Sequence, residues 1–217
     1  MTVIHLHRAV RIDIKHPTRT NPPTSKSPWI FGVFLLLNLG ATSIANSSDS
    51  FPDPISITNM VEAPLFLNKT GESSRNFFIF PLYRIAHYTD TLSGQGDILD
   101  YQGMKAVQMI FQRNIDGQRI RDEVKKAIQE RITSDEWESI KTSAYAFCRP
   151  YINGKVKKGD IYSVVWNPDG WLVSNFNGKE IGRLKDGRFA RALWSIWVGK
   201  QSLVNETDLL GDWAIKN

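Results

Sequence analysis

The spacing of apolar residues changes period along the chain, and the order of those periods predicts an architecture. Ile55-Ser56-Ile57 alternates and begins a strand. Ala63 to Leu67 is a second short apolar run, ended by the turn-prone Asn68-Lys69-Thr70-Gly71. Phe77 to Tyr88 is a long aromatic and aliphatic run of strand composition, and Pro81 inside it predicts an edge position or a bulge. A loop around Gly94 and Gly96 leads to another strand, Ala106 to Phe111.

The period then lengthens to that of a helix. From Asp116, Ile120, Val124, Ala127 and Ile128 recur on one face, while Arg119, Lys125, Lys126 and Glu130 occupy the other. Thr133 and Glu136 have the spacing of a capping box. Behind it, Trp137, Ile140, Ala144, Phe147 and Cys148 form one stripe. After Lys157-Lys158-Gly159-Asp160 the period returns to two. Ile161 to Trp166, the turn Asn167-Pro168-Asp169-Gly170, and Trp171 to Phe176 predict one hairpin. Asn177-Gly178 into Lys179–Leu184 predicts a second. Asp186 then caps a helix carrying Phe189, Leu193, Ile196 and Trp197, stopped by Gly199. Strands, two helices, a meander and a helix predict an α+β fold, with an antiparallel sheet covered by helices on one face.

Residues 1–45 stand apart from this body. The leader is basic and rich in Pro and Thr up to Pro28. An apolar core from Trp29 to Leu37 follows, and then small residues ending Ser43-Ile44-Ala45. That is the pattern of a signal peptide, and it predicts a periplasmic or secreted protein. An uncleaved N-terminal segment anchoring the chain to a membrane is the alternative. Residues 46–54 form a polar linker, and 55–217 form one domain.

Charge changes the functional reading. The 217 residues carry 27 Lys+Arg against 22 Asp+Glu, a formal net charge of +5. Five of those bases (Arg8, Arg11, Lys15, Arg19, Lys26) and one acid, Asp13, lie in the leader. The body is therefore close to neutral, with no broad basic field for a nucleic acid. The single cysteine, Cys148, rules out an intramolecular disulfide and a Cys-based metal site. His87 is the only histidine after residue 45, so no metal or cofactor is expected. Gly-x-Ser-x-Gly and glycine-rich nucleotide signatures are absent.

The body also resembles a known family. Leu67-Asn68-Lys69-Thr70-Gly71, then Arg75 and the run to Tyr88, is similar to the opening of chalcone isomerase-like domains. Met109 to Ile115 entering a helix, Lys158-Gly159-Asp160, Asn177-Gly178 and above all Phe189 to Gly199 resemble later segments of that family, in the same order. The resemblance runs from Ile55 to Leu210. It implies an open-faced β-sandwich with a ligand cleft between the large sheet and its helices.

Carried over position by position, the arginine of the plant isomerases falls on Arg75 and their threonine falls on or near Tyr83. Their tyrosine falls near Ile120, and the last helix offers only Ser195. Most of the isomerase's polar set is missing. Fatty-acid-binding members of the superfamily, which hold a carboxylate with an arginine and a tyrosine, are the better match. An Arg fork, a phenol and an apolar channel suit a small hydrophobic acid or fatty acid. The resemblance therefore implies ligand-binding roles for Arg75, Tyr83 and Tyr88. Arg191, charged within a mostly apolar helix, is a further candidate for an anionic head group. Tyr83 and Tyr88 are five positions apart and point to opposite faces of a strand unless a bulge at Pro81 intervenes, which favours Tyr83. Two other readings stay open. One is an isomerase or lyase with Arg75 as electrophile and His87 or Tyr83 as acid/base. The other is an envelope interaction module whose cleft is filled by its own side chains.

Overall fold

The structure is a computed structural model that describes residues 50–58, 64–92, 96–151, 154–211 and 213. The leader readings therefore lie outside the described residues. Among the described residues, no helix is long and apolar enough to cross a membrane.

Seven strands form one antiparallel, curled sheet: β1 (Ile55–Ile57), β2 (Leu65–Phe77), β3 (Phe80–Thr89), β4 (Lys105–Phe111), β7 (Ile161–Trp166), β8 (Trp171–Phe176) and β9 (Lys179–Lys185). They lie side by side in that order. A separate two-stranded ribbon pairs β5 (Ile115–Asp116) with β6 (Lys155–Val156). The helices among the described residues are α1 (Gly117–Gln129), α2 (Ser134–Cys148), α3 (Gly187–Trp194) and α4 (Glu206–Leu210).

Local chemistry explains most boundaries. The Asp116 side chain accepts from the Gln118 N–H to open α1. Thr133 and Glu136 complete their capping box at the start of α2. Asp186 accepts from the N–H groups of Arg188 and Phe189 at α3. Asn177 and Gly178 take φ values of 49° and 78°, as a two-residue hairpin turn requires. The Asn177 Oδ1 also accepts from the Ile161 N–H at 2.8 Å, tying the turn to the neighbouring strand.

Two predicted boundaries are corrected. Asn68-Lys69-Thr70-Gly71 does not turn: it lies within β2, whose pairing with β3 shifts register between Lys69 and Gly71. The extra residue is a bulge, and it turns the Thr70 hydroxyl toward the His87 and Leu209 carbonyls, at 3.2 and 3.1 Å. Gly71 is needed there because a Cβ would lie 2.2 Å from the Asp208 carbonyl oxygen of α4. The long run from Phe77 to Tyr88 is not one strand either. It contains a hairpin, with Phe77 opposite Phe80 and Phe78-Ile79 as the turn. Aromatic residues have high strand propensity wherever they stand, so composition alone hides a turn made of them.

Side-chain alternation divides the sheet into two faces. Ile85, Val107, Met109, Phe111, Tyr162 and Val164 face the helices and pack against Ile128, Ile140, Phe147, Phe189 and Trp194. Ala86, Tyr88, Ala106, Ile110 and Val165 point the other way, into a second cluster with Phe51, Ile55, Ile57 and Leu67. The central strand β4 is buried along its whole length, which explains why five of its seven residues are apolar.

Candidate functional site

Strand register brings the first two site residues together. In the β2–β3 ladder Arg75 lies directly opposite Tyr83. A second register shift, between Arg75 and Asn76, leaves Leu82 as the extra residue beside Pro81. That bulge precedes Tyr83, so the parity between Tyr83 and Tyr88 is intact and the two rings occupy opposite faces.

Tyr83 is held from above by the segment that follows α3. The Trp197 Nε1–H donates to its hydroxyl at 3.2 Å, and the Phe111 ring meets the Tyr83 ring edge-on, 6.3 Å between centroids. Burial pushes the phenol up to about 12, partly opposed by the Trp197 hydrogen bond and by the positive charges of Arg75 and Arg131. The group is therefore a neutral phenol at ordinary pH, with an O–H proton available to a ligand. The Arg75 Nη1 donates to the Leu203 carbonyl at 3.2 Å. No ion pair engages Arg75 among the described residues.

Arg75 and Tyr83 both line a cavity of about 280 Å³ between the sheet and the helices. Its walls are Met109, Phe111 and Tyr162 from the sheet, Ile120, Val124 and Ala127 from α1, Phe147 and Cys148 from α2, and Leu193 and Ile196 from α3 and the turn after it. Charged groups in the lining are Arg75, Arg119, Glu123 and Lys126, three cations to one carboxylate. Arg119, Glu123 and Lys126 are exposed, so this side of the cavity reaches the protein surface. Burial pushes the Cys148 thiol up to about 11, which makes it an inert part of the wall. An apolar channel with a guanidinium and a phenol in its lining can hold an amphipathic anion, its head on Arg75 and Tyr83 and its chain among the aliphatic walls.

Arg131 belongs to the same electrostatic neighbourhood and was not among the residues singled out from the sequence. It stands just beyond α1, with a side chain only 7% exposed. Its guanidinium donates to the Ala127 and Gln201 carbonyls, while Nε is buried without a partner. Burial is the main cause lowering its pKa, with the charge of Arg75 a further one. An arginine ending an amphipathic helix has the sequence signature of a solvated cation, so nothing in the pattern marks it.

Of the four candidate ligand residues, Arg75, Tyr83, Tyr88 and Arg191, the first two line the cavity, as the parity of Tyr83 and Tyr88 favoured for the tyrosines. Tyr88 lies fully buried on the opposite face, its hydroxyl donating to the Pro52 carbonyl at 3.0 Å. Arg191 is half-exposed on α3 and pairs with Asp100. Neither lines the cavity. Nor does His87, which is buried further along β3 with Nδ1 2.9 Å from the Thr70 hydroxyl. Its pKa is lowered to about 3, first by burial and then by the charge of Lys105. Ile120 lines the cavity, but the Ser195 hydroxyl is spent on the Ala192 carbonyl at 2.7 Å. Among the described residues, no group of three or more His, Cys, Asp or Glu side chains could hold a metal ion.

Lys105 shows what a buried cation looks like when the fold itself satisfies it. It is 1% exposed, and its ammonium donates to the Ile98 and Tyr101 carbonyls at 3.1 and 2.6 Å. It also sits 3.7 Å from the centroid of the Trp166 ring.

Comparison with known proteins agrees with this fold. No curated protein matches the sequence. Among solved structures, the chain is similar to the fatty-acid binding protein of Arabidopsis thaliana, with a TM-score of 0.55 at 13% identity. The match covers 68% of this chain and 88% of that one, and shows a shared fold. The family model described as chalcone isomerase-like matches residues 47–209. The chain with the Arg75–Tyr83 cavity is a member of the chalcone isomerase-like family.

Proposed function

We propose that this protein binds a small hydrophobic carboxylic acid, such as a fatty acid, in the cavity beneath α1, and does so without transforming it. The observation that carries this reading is the Arg75–Tyr83 pair: a guanidinium and a protonated phenol, opposite each other in the ladder, lining an otherwise largely apolar space. A bound carboxylate would receive charge-assisted hydrogen bonds from Arg75 and one more from the Tyr83 hydroxyl. Arg131 would add favourable potential from behind. Family membership and the shared fold with a fatty-acid binding protein support the same reading.

An acid/base reaction finds less support. His87, one of the two acid/base candidates, lies outside the cavity lining. Tyr83, the other, holds its proton up to about 12 and is a poor base at neutral pH. The apolar leader core, with small residues at Ser43 and Ala45, supports export, so the acid would be met outside the cytoplasm.

Native mass spectrometry of the purified protein, with extraction and identification of any bound small molecule, tests the reading. A fatty acid carried by the parent and lost from Arg75→Ala is the expected result. A protein of bare mass that takes up no added fatty acid would rule the proposal out.

A further inference from the structure

The turn between β2 and β3 gathers strongly exposed apolar residues at a single tip. Phe77, Phe78, Ile79 and Phe80 are 44%, 85%, 86% and 55% exposed. A solvated two-residue turn ordinarily carries residues such as Asn177-Gly178, which the β8–β9 turn uses. Here Phe78 instead holds a φ of 53°, a region unfavourable to a bulky side chain, and its ring gains no burial in return. Phe77 and Phe78 meet edge to face at 4.9 Å, so the rings form one apolar knob.

Two arginines stand beside that knob. The Arg119 guanidinium lies 5.5 Å from the centroid of the Phe77 ring, and that of Arg113 lies 5.9 Å from the centroid of Phe80. Lys155, Lys157 and Lys158 are exposed at the same end of the sheet, on a segment bonded to the Asn114 side chain through the Lys158 N–H. The carboxylates at this end are mostly engaged with protein N–H groups. Asp116 caps α1, and Asp160 accepts from the Lys157 N–H and the Asn177 side-chain amide. Glu123 stands exposed in the cavity lining. Aromatic and aliphatic groups projecting beside guanidinium groups, at an end of the sheet that also carries exposed lysines, match the chemistry of an anionic bilayer surface. The rings enter the interface and the cations meet lipid phosphates.

We infer that the β2–β3 tip docks on an anionic lipid surface. Phe77 and Arg119 belong both to the tip and to the cavity lining, so docking sets the exposed side of the cavity against the lipid headgroups. The inference goes beyond the proposed function and does not depend on it, because it stands on the tip and its cations alone.

The test uses the full chain with a solvent-sensitive nitrobenzoxadiazole label on Ile79→Cys. Cys148 is buried and stays unlabelled. A second protein carries the label on Asp169→Cys, in the exposed turn at the other end of the sheet. On vesicles of phosphatidylglycerol and phosphatidylcholine, the label at 79 is expected to brighten severalfold, shift to the blue and be quenched by nitroxide lipids. The label at 169 should not change. Arg113→Ala with Arg119→Ala should weaken vesicle binding about tenfold, and about 0.5 M salt should weaken it in the same direction. A label at 79 as wet on vesicles as in buffer overturns the inference and turns the search to a protein partner for the tip. Equal quenching at 79 and 169 also overturns it, because contact would then lie elsewhere in the chain. Adding Arg75→Ala separates the two proposals: insertion of the tip should persist whether or not the acid is lost.

Discussion

The helix-covered face of the sheet carries a cationic side chain at each of its ends, buried at Lys105 and half-buried at Arg75, and the two ends treat them differently. At the end near Thr89, Lys105 is closed in by the Ile98 and Tyr101 carbonyls and the Trp166 ring. His87 beside it is held neutral and meets the Thr70 hydroxyl. At the other end, Arg75 and Tyr83 share one carbonyl contact and one indole N–H, and both face open space. A buried polar group surrounded by backbone acceptors serves the fold, and one facing a cavity is left to serve a ligand. The contrast also explains why Arg75, and not the more deeply buried Lys105, is the residue proposed to bind.

Substitutions should separate the two ends. Lys105→Ala strips two carbonyls of their donor and leaves a void under Trp166. It is expected to lower unfolding stability by about 3 kcal/mol in urea titration, while the folded protein keeps its affinity for a fatty acid. A stable Lys105→Ala protein that cannot bind would reverse the assignment of the two ends. Arg75→Ala should do the opposite. It is expected to cost about 2 kcal/mol of binding, some thirtyfold in Kd, with an unfolding midpoint close to the parent's. Lys at position 75 should recover only part of that loss, because it lacks the guanidinium fork.

Acid should probe the closed end through His87. His87 is neutral in the folded protein down to about pH 3, whereas in the unfolded chain it takes up a proton near 6.5. Its folded-state pKa is depressed, so the unfolded state binds more protons between those values, and stability falls as pH drops below about 6.5. Between pH 6.5 and 4.5 the loss from this group is expected to be about 2 kcal/mol. Comparing the pH dependence of the parent with that of His87→Gln isolates it from the carboxylates. Identical slopes would show that His87 is not held neutral. The smallest effect belongs to Tyr83→Phe, which removes one hydroxyl and leaves the ring in place. About 1 kcal/mol of fatty-acid binding should be lost in calorimetry, with little change in the melting temperature.

Some elements were legible because their causes are local. The stripe on α1, the capping box of α2 and the Asn177-Gly178 turn each depend on residues within one or two turns of chain. Arg75 and Tyr83 could be singled out through the family resemblance together with strand parity. Asn68–Gly71 misled because turn propensity is a weak local preference. Pairing with β3 and the close approach of α4 overrode it, leaving a bulge inside β2. The β2–β3 hairpin was hidden for the converse reason, since Phe78 and Ile79 are strand formers standing in a turn.

The amino-acid sequence by itself determined the class of fold, the near-neutral body and a short set of candidates for holding an anion. The first two follow from periodicity and composition, and the candidates follow from the family resemblance together with strand parity. Only the tertiary structure decided which candidates meet. Arg75 faces Tyr83 through a ladder register, Trp197 arrives from more than a hundred residues away, and Arg131 donates to the Gln201 carbonyl 70 residues on. Tyr88 and Arg191 were sent elsewhere by the same packing. Burial and register are set by long-range contacts, and the spacing of residues along the chain carries little information about those.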